Sequence, residues 1–126
     1  MSIEYQVEVR EDYVCFRCSG AYDQKSATEL FNQAYRITGQ QRLNAVLVDA
    51  REIAGNPPST MERFELGVLL SEHRDSGICL ALVAKEPILD PRRFGETVAL
   101  NRGAWGKGFT DFDEAVIWLK SSIRKQ

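Results

Sequence analysis

The chain has 126 residues, of which 44% are hydrophobic and 27% are charged, with 16 basic and 18 acidic side chains. These proportions are typical of a globular domain and exclude a disordered or membrane-embedded chain. The net charge of -2 is too balanced to attract nucleic acid or an anionic membrane. The sequence therefore predicts one domain over residues 1–126 that binds no nucleic acid.

The first elements are predicted to be two strands and a helix. Residues 3–9 alternate apolar and polar side chains, as in a strand with one wet face, and residues 13–18 are aromatic and β-branched, so the two segments form a hairpin. An apolar stripe of helical period follows over residues 23–38. Asp23 is expected to cap this helix and Gly39 to end it.

Two buried strands are predicted in the middle of the chain, at residues 45–49 and 78–84, where the side chains are almost wholly apolar. Between them, Ser59-Thr60-Met61-Glu62 has the capping-box spacing and opens a second helix that reaches about residue 74 and is closed by Gly77. We expect two adjoining apolar stripes on that helix: Met61, Phe64 and Val68 on one, and Leu66, Leu69, Leu70 and His73 on the other.

A third helix, a weak strand and a last helix complete the pattern. Asp90 is expected to cap the third helix with Pro91 at its first position, and that helix runs to about Asn101. Residues 105–109 form a glycine-weakened strand. Thr110 or Asp111 caps the last helix, and its buried stripe comprises Phe112, Ala115, Val116, Leu119 and Ile123.

The predicted order is therefore β-β-α-β-α-β-α-β-α, an α/β fold. Alternating strands and helices from the third strand onward require parallel strands joined by right-handed crossovers. We expect a mixed sheet in which strands 3 to 5 are parallel and the helices pack on its faces.

This order, with a buried strand ending in Asp49, a loop and a helix opened by Ser59 and Thr60, resembles the STAS domain family of sulfate transporters and anti-sigma-factor antagonists. The segments PSTMERFELG at residues 58–67 and DPRRFGETV at residues 90–98 are similar to small bacterial stand-alone proteins grouped with STAS and CRAL-TRIO-like domains. The resemblance covers nearly the whole chain. It implies a STAS-like fold.

The resemblance also implies a function. It favours a non-catalytic module that binds a protein partner, with a small-ligand or lipid carrier of CRAL-TRIO-like type as the alternative. In the anti-sigma antagonists, a serine at the start of the helix after the third strand is phosphorylated to switch partner binding. Ser59 or Thr60 occupies the nearest position, although Pro58 stands where that motif has an aspartate, and no glycine follows soon after.

Catalytic and metal-binding motifs are missing from the sequence. It contains no G-x-S-x-G elbow, phosphate-binding loop or H-E-x-x-H pair, and His73 stands alone. Cys15 and Cys18 spell C-x-x-C, but an offset of three on a strand points them to opposite faces, so reduced core thiols are expected, with Cys79 as the third. We therefore expect no enzyme, metal or cofactor. An enzyme would need a perturbed ionisable pair in a cleft, for which Asp49 and Arg51 are candidates.

One cluster of polar residues is expected beyond the carboxyl ends of the two buried strands, where helix N-termini attract anions. Asp49, Arg51, Ser59 and Thr60 follow one strand, and Lys85, Asp90, Arg92 and Arg93 follow the next. If the strands are neighbours, these residues converge and can bind an anion or a partner. The alternative is that Ser59 and Asp90 only cap helices, while the arginines are solvated or pair with Glu62 and Glu96.

The sequence also predicts the cellular location of the protein and a possible mode of assembly. The N-terminus lacks the basic start and apolar run of a signal peptide. No stretch approaches the roughly 18 to 20 apolar residues of a membrane span. We expect a cytoplasmic protein without a membrane span. An exposed edge strand at residues 3–9 could pair with a second subunit and form a homodimer.

Overall fold

The computed structural model describes residues 3–124 and confirms the predicted order of elements. In chain order, these are β1 (Glu4–Val9), β2 (Val14–Ala21), α1 (Gln24–Gln40), β3 (Ala45–Ala54), α2 (Thr60–Ser71), a 3-10 turn (Arg74–Ser76), β4 (Cys79–Val83), α3 (Phe94–Asn101), β5 (Gly106–Phe109) and α4 (Phe112–Arg124).

The five strands form one mixed sheet in the order β1-β2-β3-β4-β5. β1 and β2 are an antiparallel hairpin, as predicted, and every pair from β2 to β5 is parallel. The parallel part therefore starts one strand earlier than the predicted strands 3 to 5, because α1 already acts as a crossover from β2 to β3. β3 and β4 are direct neighbours.

Each face of the sheet has its own apolar core. On the side that we call the α1 face, Val14, Phe16, Val46, Val48 and Leu80 pack with residues of α1 and α2. On the opposite side, the α4 face, Cys15, Leu47, Cys79, Ala81 and Val83 pack with Ala115 and Leu119 of α4. Side chains alternate between these two cores along each strand, so both faces of the central strands are buried.

β1 departs from its predicted role. Its apolar residues Tyr5, Val7 and Val9 were expected on a covered face, but all three are exposed on the edge of the sheet. They pair with Cys18, Phe16 and Val14 of β2 and so belong to the α1 face. The predicted alternation is present, and the covering layer does not extend over this edge strand.

Helix ends follow the predicted caps in most cases. The Asp23 carboxylate accepts the Ser26 amide at 3.0 Å, and Asp111, rather than Thr110, accepts two amides at the start of α4. Gly77 has a positive φ of 75° and follows the 3-10 turn after α2. The prediction for Gly39 was wrong, because α1 continues to Gln40 and the left-handed residue is Arg42.

β3 is longer than predicted. It continues past Asp49 to Ala54, because Gly20 and Ala21 of β2 extend the pairing to Ile53 and Ala54. A register shift between Arg17 and Ser19 gives β3 one extra residue opposite β2, which is a β-bulge. Asp49 therefore lies inside the strand, next to the bulge, instead of at its end.

Candidate functional site

The start of α2 places Ser59 at the surface in the predicted capping box. The Ser59 hydroxyl accepts the Glu62 amide at 3.1 Å, and the Glu62 carboxylate accepts the Ser59 amide at 2.9 Å. Ser59 and Thr60 are both exposed. The two hydroxyls are accessible to another protein, while the backbone of the first turn is fixed by its own side chains.

The helix α2 is anchored to the loop after β4. The Arg63 guanidinium donates to the backbone carbonyls of Pro87 at 2.8 Å and Ile88 at 3.1 Å. In this loop, the Asp90 carboxylate accepts the Arg92 and Phe94 amides, both at 3.0 Å. These hydrogen bonds lower the pKa of Asp90 below its ordinary value, and the bond from the Phe94 amide contributes most.

The start of α3 was predicted wrongly. Asp90 caps a separate turn closed by the hydrogen bond from the Arg93 amide to the Asp90 carbonyl, and Arg93 then takes a left-handed φ of 54°. Because this conformation interrupts the helical path, α3 begins only at Phe94. The Arg93 side chain is turned inward, where it donates to the Gly108 carbonyl at 2.5 Å and lies 3.6 Å from Glu96.

Asp49 and Arg51 form a tight ion pair on the α4 face. The Arg51 guanidinium donates to both carboxylate oxygens at 2.9 and 2.8 Å, and the Arg51 amide donates at 3.2 Å. Asp49 is 4% exposed. Burial alone would raise the pKa of Asp49, but the hydrogen bonds from Arg51 hold it below its ordinary value. The guanidinium also lies 4.8 Å from the ring centre of Phe112.

The predicted polar residues occupy two separate places. Asp49 and Arg51 line a charged cleft of about 330 Å³ together with Arg17, Glu52 and Lys85. Asp90 and Arg93 line a different cavity, with Pro58 beside Ser59. Although β3 and β4 are neighbours, the sheet lies between the two groups, since Asp49 is on the α4 face and the second cavity is on the α1 face.

The second cavity is apolar, as the alternative of a small-ligand or lipid carrier requires, but its lining residues were not predicted. It has a volume of about 110 Å³ and lies between the sheet and helices α2 and α3. Its walls include Leu66, Leu70, Leu80, Leu82, Leu89 and Ala99. The available signal in the sequence was the pair Gly106 and Gly108, because alternate residues of a strand share a face and two glycines leave that part of the α1 face without side chains.

A patch of exposed apolar side chains on α2 was also missed. Met61 is 65% exposed and Phe64 37% exposed, so they are not part of a buried stripe as the helical spacing suggested. Arg102 lies over the Phe64 ring at 5.6 Å. We call Ser59, Thr60, Met61 and Phe64 the α2 patch. Its hydroxyls and apolar groups stand within the first turns of one helix.

The three cysteines and His73 are structural in their surroundings. Cys15 and Cys18 are buried on opposite faces of the sheet. Cys79 is buried in the same core as Cys15, on the α4 face. Desolvation raises the pKa of Cys15 and Cys79 to about 11 and that of Cys18 to about 12. His73 stacks on Tyr35 at 4.1 Å and meets the Asn32 side chain at 3.0 Å. The three cysteines are therefore the buried, reduced thiols that the sequence predicted.

The described residues, 3–124, contain neither a metal-binding cluster nor a membrane-spanning helix. They hold no group of three or more His, Cys, Asp or Glu side chains arranged to bind a metal ion. None of their helices combines the length and the apolar character needed to cross a bilayer.

Known proteins of the same fold were found by structure and not by sequence. No protein-family model and no curated protein matches the sequence. An anti-sigma factor antagonist from Mycobacterium paratuberculosis has a TM-score of 0.62 at 17% identity, covering 94% of this chain and 95% of its own. The anti-sigma factor antagonist SpoIIAA in its unphosphorylated form has a TM-score of 0.56 at 13% identity, covering 94% and 97%.

An uncharacterized protein with a SpoIIAA-like fold from Shewanella loihica has a TM-score of 0.53 at 16% identity, with 94% of each chain covered. Together these likenesses define the class of structure: an α/β protein with the STAS fold predicted from the sequence. Within that class, the chain has the SpoIIAA-like fold.

Proposed function

We propose that the chain is a one-domain, non-catalytic, cytoplasmic regulatory module of STAS type, which binds a protein partner through the α2 patch. The observation that carries the proposal is the exposure of Met61 and Phe64 beside Ser59. Large apolar side chains exposed together commonly mark interaction surfaces, and solved structures of the same fold are described as anti-sigma factor antagonists.

The Asp49–Arg51 pair supports a non-catalytic role, although it meets the criterion of a perturbed ionisable pair in a cleft. Both carboxylate oxygens are bonded to the guanidinium, and a lowered pKa keeps the carboxylate ionised. Such a group lacks a proton to donate near neutral pH and is a weak base. Its geometry is that of a structural ion pair next to the β-bulge.

We further propose that phosphorylation of Ser59, or of Thr60, controls partner binding. A phosphate carries about -1.5 to -2 charges at neutral pH. At Ser59 it would lie beside the Glu62 carboxylate, which now accepts the Ser59 amide at 2.9 Å. Like-charge repulsion would open the capping box and place the new charge on the α2 patch. Thr60, whose hydroxyl takes no part in the capping box, would add charge without that rearrangement.

The partner proposal is tested by affinity purification with quantitative mass spectrometry. The wild type is compared with Met61→Lys and with Ile117→Lys, a matched control on α4, where Ile117 is 66% exposed. We expect at least one protein to be retained by the wild type and Ile117→Lys and to be lost with Met61→Lys. Equal recovery by all three baits would contradict a role for the α2 patch.

Phosphorylation is tested by intact-mass analysis and peptide mapping of the protein recovered from its own cells. We expect a single phosphate that is absent from Ser59→Ala if Ser59 is the acceptor, or from Thr60→Ala if Thr60 is. Ser121, exposed on α4, provides the control as Ser121→Ala. A phosphate that persists in a Ser59→Ala/Thr60→Ala double variant would exclude both acceptors.

Anion binding stays a prediction for both polar groups. Arg51 is already paired with Asp49 and Arg93 with Gly108 and Glu96, so exposed Arg92 and Lys85 are the cations most available to an anion. Titration with inorganic phosphate, followed by NMR, should shift amides near residue 92 or residue 85. An unchanged spectrum at high phosphate would leave Ser59 as a helix cap and Asp90 as the cap of its turn, without an anion site.

The apolar cavity favours a second candidate function, the binding of a small ligand or lipid. About 110 Å³ is below the roughly 300 to 1,000 Å³ of most ligand pockets, so the cavity as formed accepts only a few carbon atoms. Short fatty acids are suitable probes because their alkyl chains match the apolar walls of the cavity. We expect hexanoate to raise the melting temperature more than acetate. Equal effects of the two acids would contradict this candidate.

A further inference from the structure

Within residues 3–124, the outer edge of β1 has backbone groups without a partner strand. The Arg10 amide donates to the Tyr13 carbonyl at 2.8 Å, which makes these two residues a hydrogen-bonded pair closing the hairpin. Hydrogen-bonded and non-bonded pairs alternate along antiparallel strands, and Val9 pairs with Val14 in the same register. The N–H and C=O groups of Tyr5, Val7 and Val9 therefore point away from β2, toward the outside of the sheet.

The same three residues carry the exposed apolar side chains of β1. Tyr5, Val7 and Val9 lie on the α1 face, where the Tyr5 ring packs 5.2 Å from that of Phe16. A strand that combines exposed apolar side chains with free backbone groups is an open template for another strand.

At the opposite edge of the sheet, side chains of Arg93, just before α3, and of Glu96, within α3, bond to the backbone of β5. The Gly108 amide of β5 donates to the Glu96 carboxylate at 2.7 Å, and the Gly108 carbonyl accepts from Arg93 at 2.5 Å. These two side chains occupy the outward-pointing N–H and C=O groups of Gly108, with which a further strand would have to pair. Strand addition is thus directed to β1.

We propose that the chain forms a twofold-symmetric homodimer in which β1 pairs antiparallel with β1 of a second copy, with Val7 opposite Val7. In this register, Tyr5 lies opposite Val9 of the second copy, so the outward-pointing backbone groups bond with each other. The apolar side chains of both copies then form one strip on the α1 face. This inference is independent of partner binding at the α2 patch.

Charges on the other face select this register and this occupant. Residues 4, 6, 8 and 10 alternate with the apolar ones, so Glu4 lies opposite Arg10 of the second copy, and Gln6 lies opposite Glu8. Sliding by one pair in one direction brings Glu4 opposite Glu8, and sliding in the other brings Glu8 opposite itself. Opposite charges across strands stabilise and like charges destabilise, so of these three registers only the one with Val7 opposite Val7 brings opposite charges together.

The test is a charge exchange measured by sedimentation velocity. We expect the wild type to dimerise with a dissociation constant on the order of 10–100 µM, as for a small interface. Glu4→Arg and Arg10→Glu should each weaken dimerisation about tenfold or more, because each places like charges opposite each other twice. The control Lys120→Glu changes an exposed cation on α4 and should dimerise as the wild type does.

Mixing the two variants gives the decisive result. A heterodimer of Glu4→Arg with Arg10→Glu has complementary charges at both positions, so the mixture should dimerise about as well as the wild type. Hydrogen exchange should show the amides of Tyr5, Val7 and Val9 becoming protected as protein concentration rises. A monomeric wild type up to about ten times the expected constant, single variants that dimerise normally, or a mixture that stays monomeric would each overturn the proposal.

Discussion

Gly67 and Gly39 should respond in opposite directions to the same substitution. Both glycines lie inside helices, where alanine is intrinsically more favourable by up to about 1 kcal/mol. A Cβ atom on Gly67 would meet the Gly95 carbonyl oxygen at 2.6 Å and the Val98 side chain at 2.8 Å. A Cβ atom on Gly39 meets nothing within 4 Å. The contrast isolates the packing of α2 against α3 from helix propensity.

The magnitudes follow from these distances. The contact at Gly67 is with backbone, so it is relieved only by moving α2 away from α3, and overpacking of this kind costs about 1–3 kcal/mol. Gly67→Ala should therefore lower the free energy of unfolding by up to about 2 kcal/mol, net of propensity. Gly39→Ala lies near the end of α1 and should raise it by about 0.5 kcal/mol.

Urea denaturation followed by circular dichroism measures both variants against the wild type, with midpoints compared at constant slope. A Gly67→Ala protein as stable as Gly39→Ala would refute the close approach of α2 and α3. It would also remove the reason for the glycine at this position.

Three further predictions concern the ion pair, the helix cap and the thiols. Because the folded-state pKa of Asp49 is lowered, its stabilisation is complete above the unfolded-state value of about 4 and is lost as pH falls through the folded-state value. Asp49→Asn should cost about 2 kcal/mol at neutral pH, and urea midpoints of the two proteins should converge in acid; a constant difference would contradict the pair. Ser59→Ala should cost about 1 kcal/mol by the same assay and Ser59→Gly only a few tenths, whereas equal losses would argue against the cap. The three cysteines should react with a thiol reagent only on unfolding, since desolvation raises the pKa of each to about 11 or 12, and rapid labelling of the native protein would show that one of them is accessible.

Local patterns predicted the elements well where one local cause decides the structure. Asp23, Ser59 and Asp111 cap their helices as their side chains indicate. The buried strands follow from their continuous apolar runs. The helix ends predicted at Gly39 and Asp90 were wrong. Each residue type is common at a helix end, but the left-handed residues are Arg42 and Arg93. Nothing local distinguishes these arginines from other residues.

The candidate site was harder to predict because it depends on which face a residue occupies. β3 and β4 are neighbours, which was the condition for the predicted cluster of polar residues. The β-bulge beside Asp49 arises from pairing with β2, and the Arg93 side chain bonds to Gly108 of β5. Arg51 and Arg93 line separate cavities on opposite sides of the sheet. Likewise, helical spacing cannot tell that α3 covers one side of α2 and leaves Met61 in solvent.

The hydrogen bonds that Arg93 and Glu96 make to Gly108 also bear on how far self-association can proceed. A sheet with two open edges can add chains without end and grow into fibres, whereas a sheet with one open edge is complete once that edge is filled. Replacing Arg93 and Glu96 with alanine would free the backbone groups of Gly108 and leave the sheet with a second open edge. Arg93, just before α3, and Glu96, within α3, would therefore protect the protein from polymerisation.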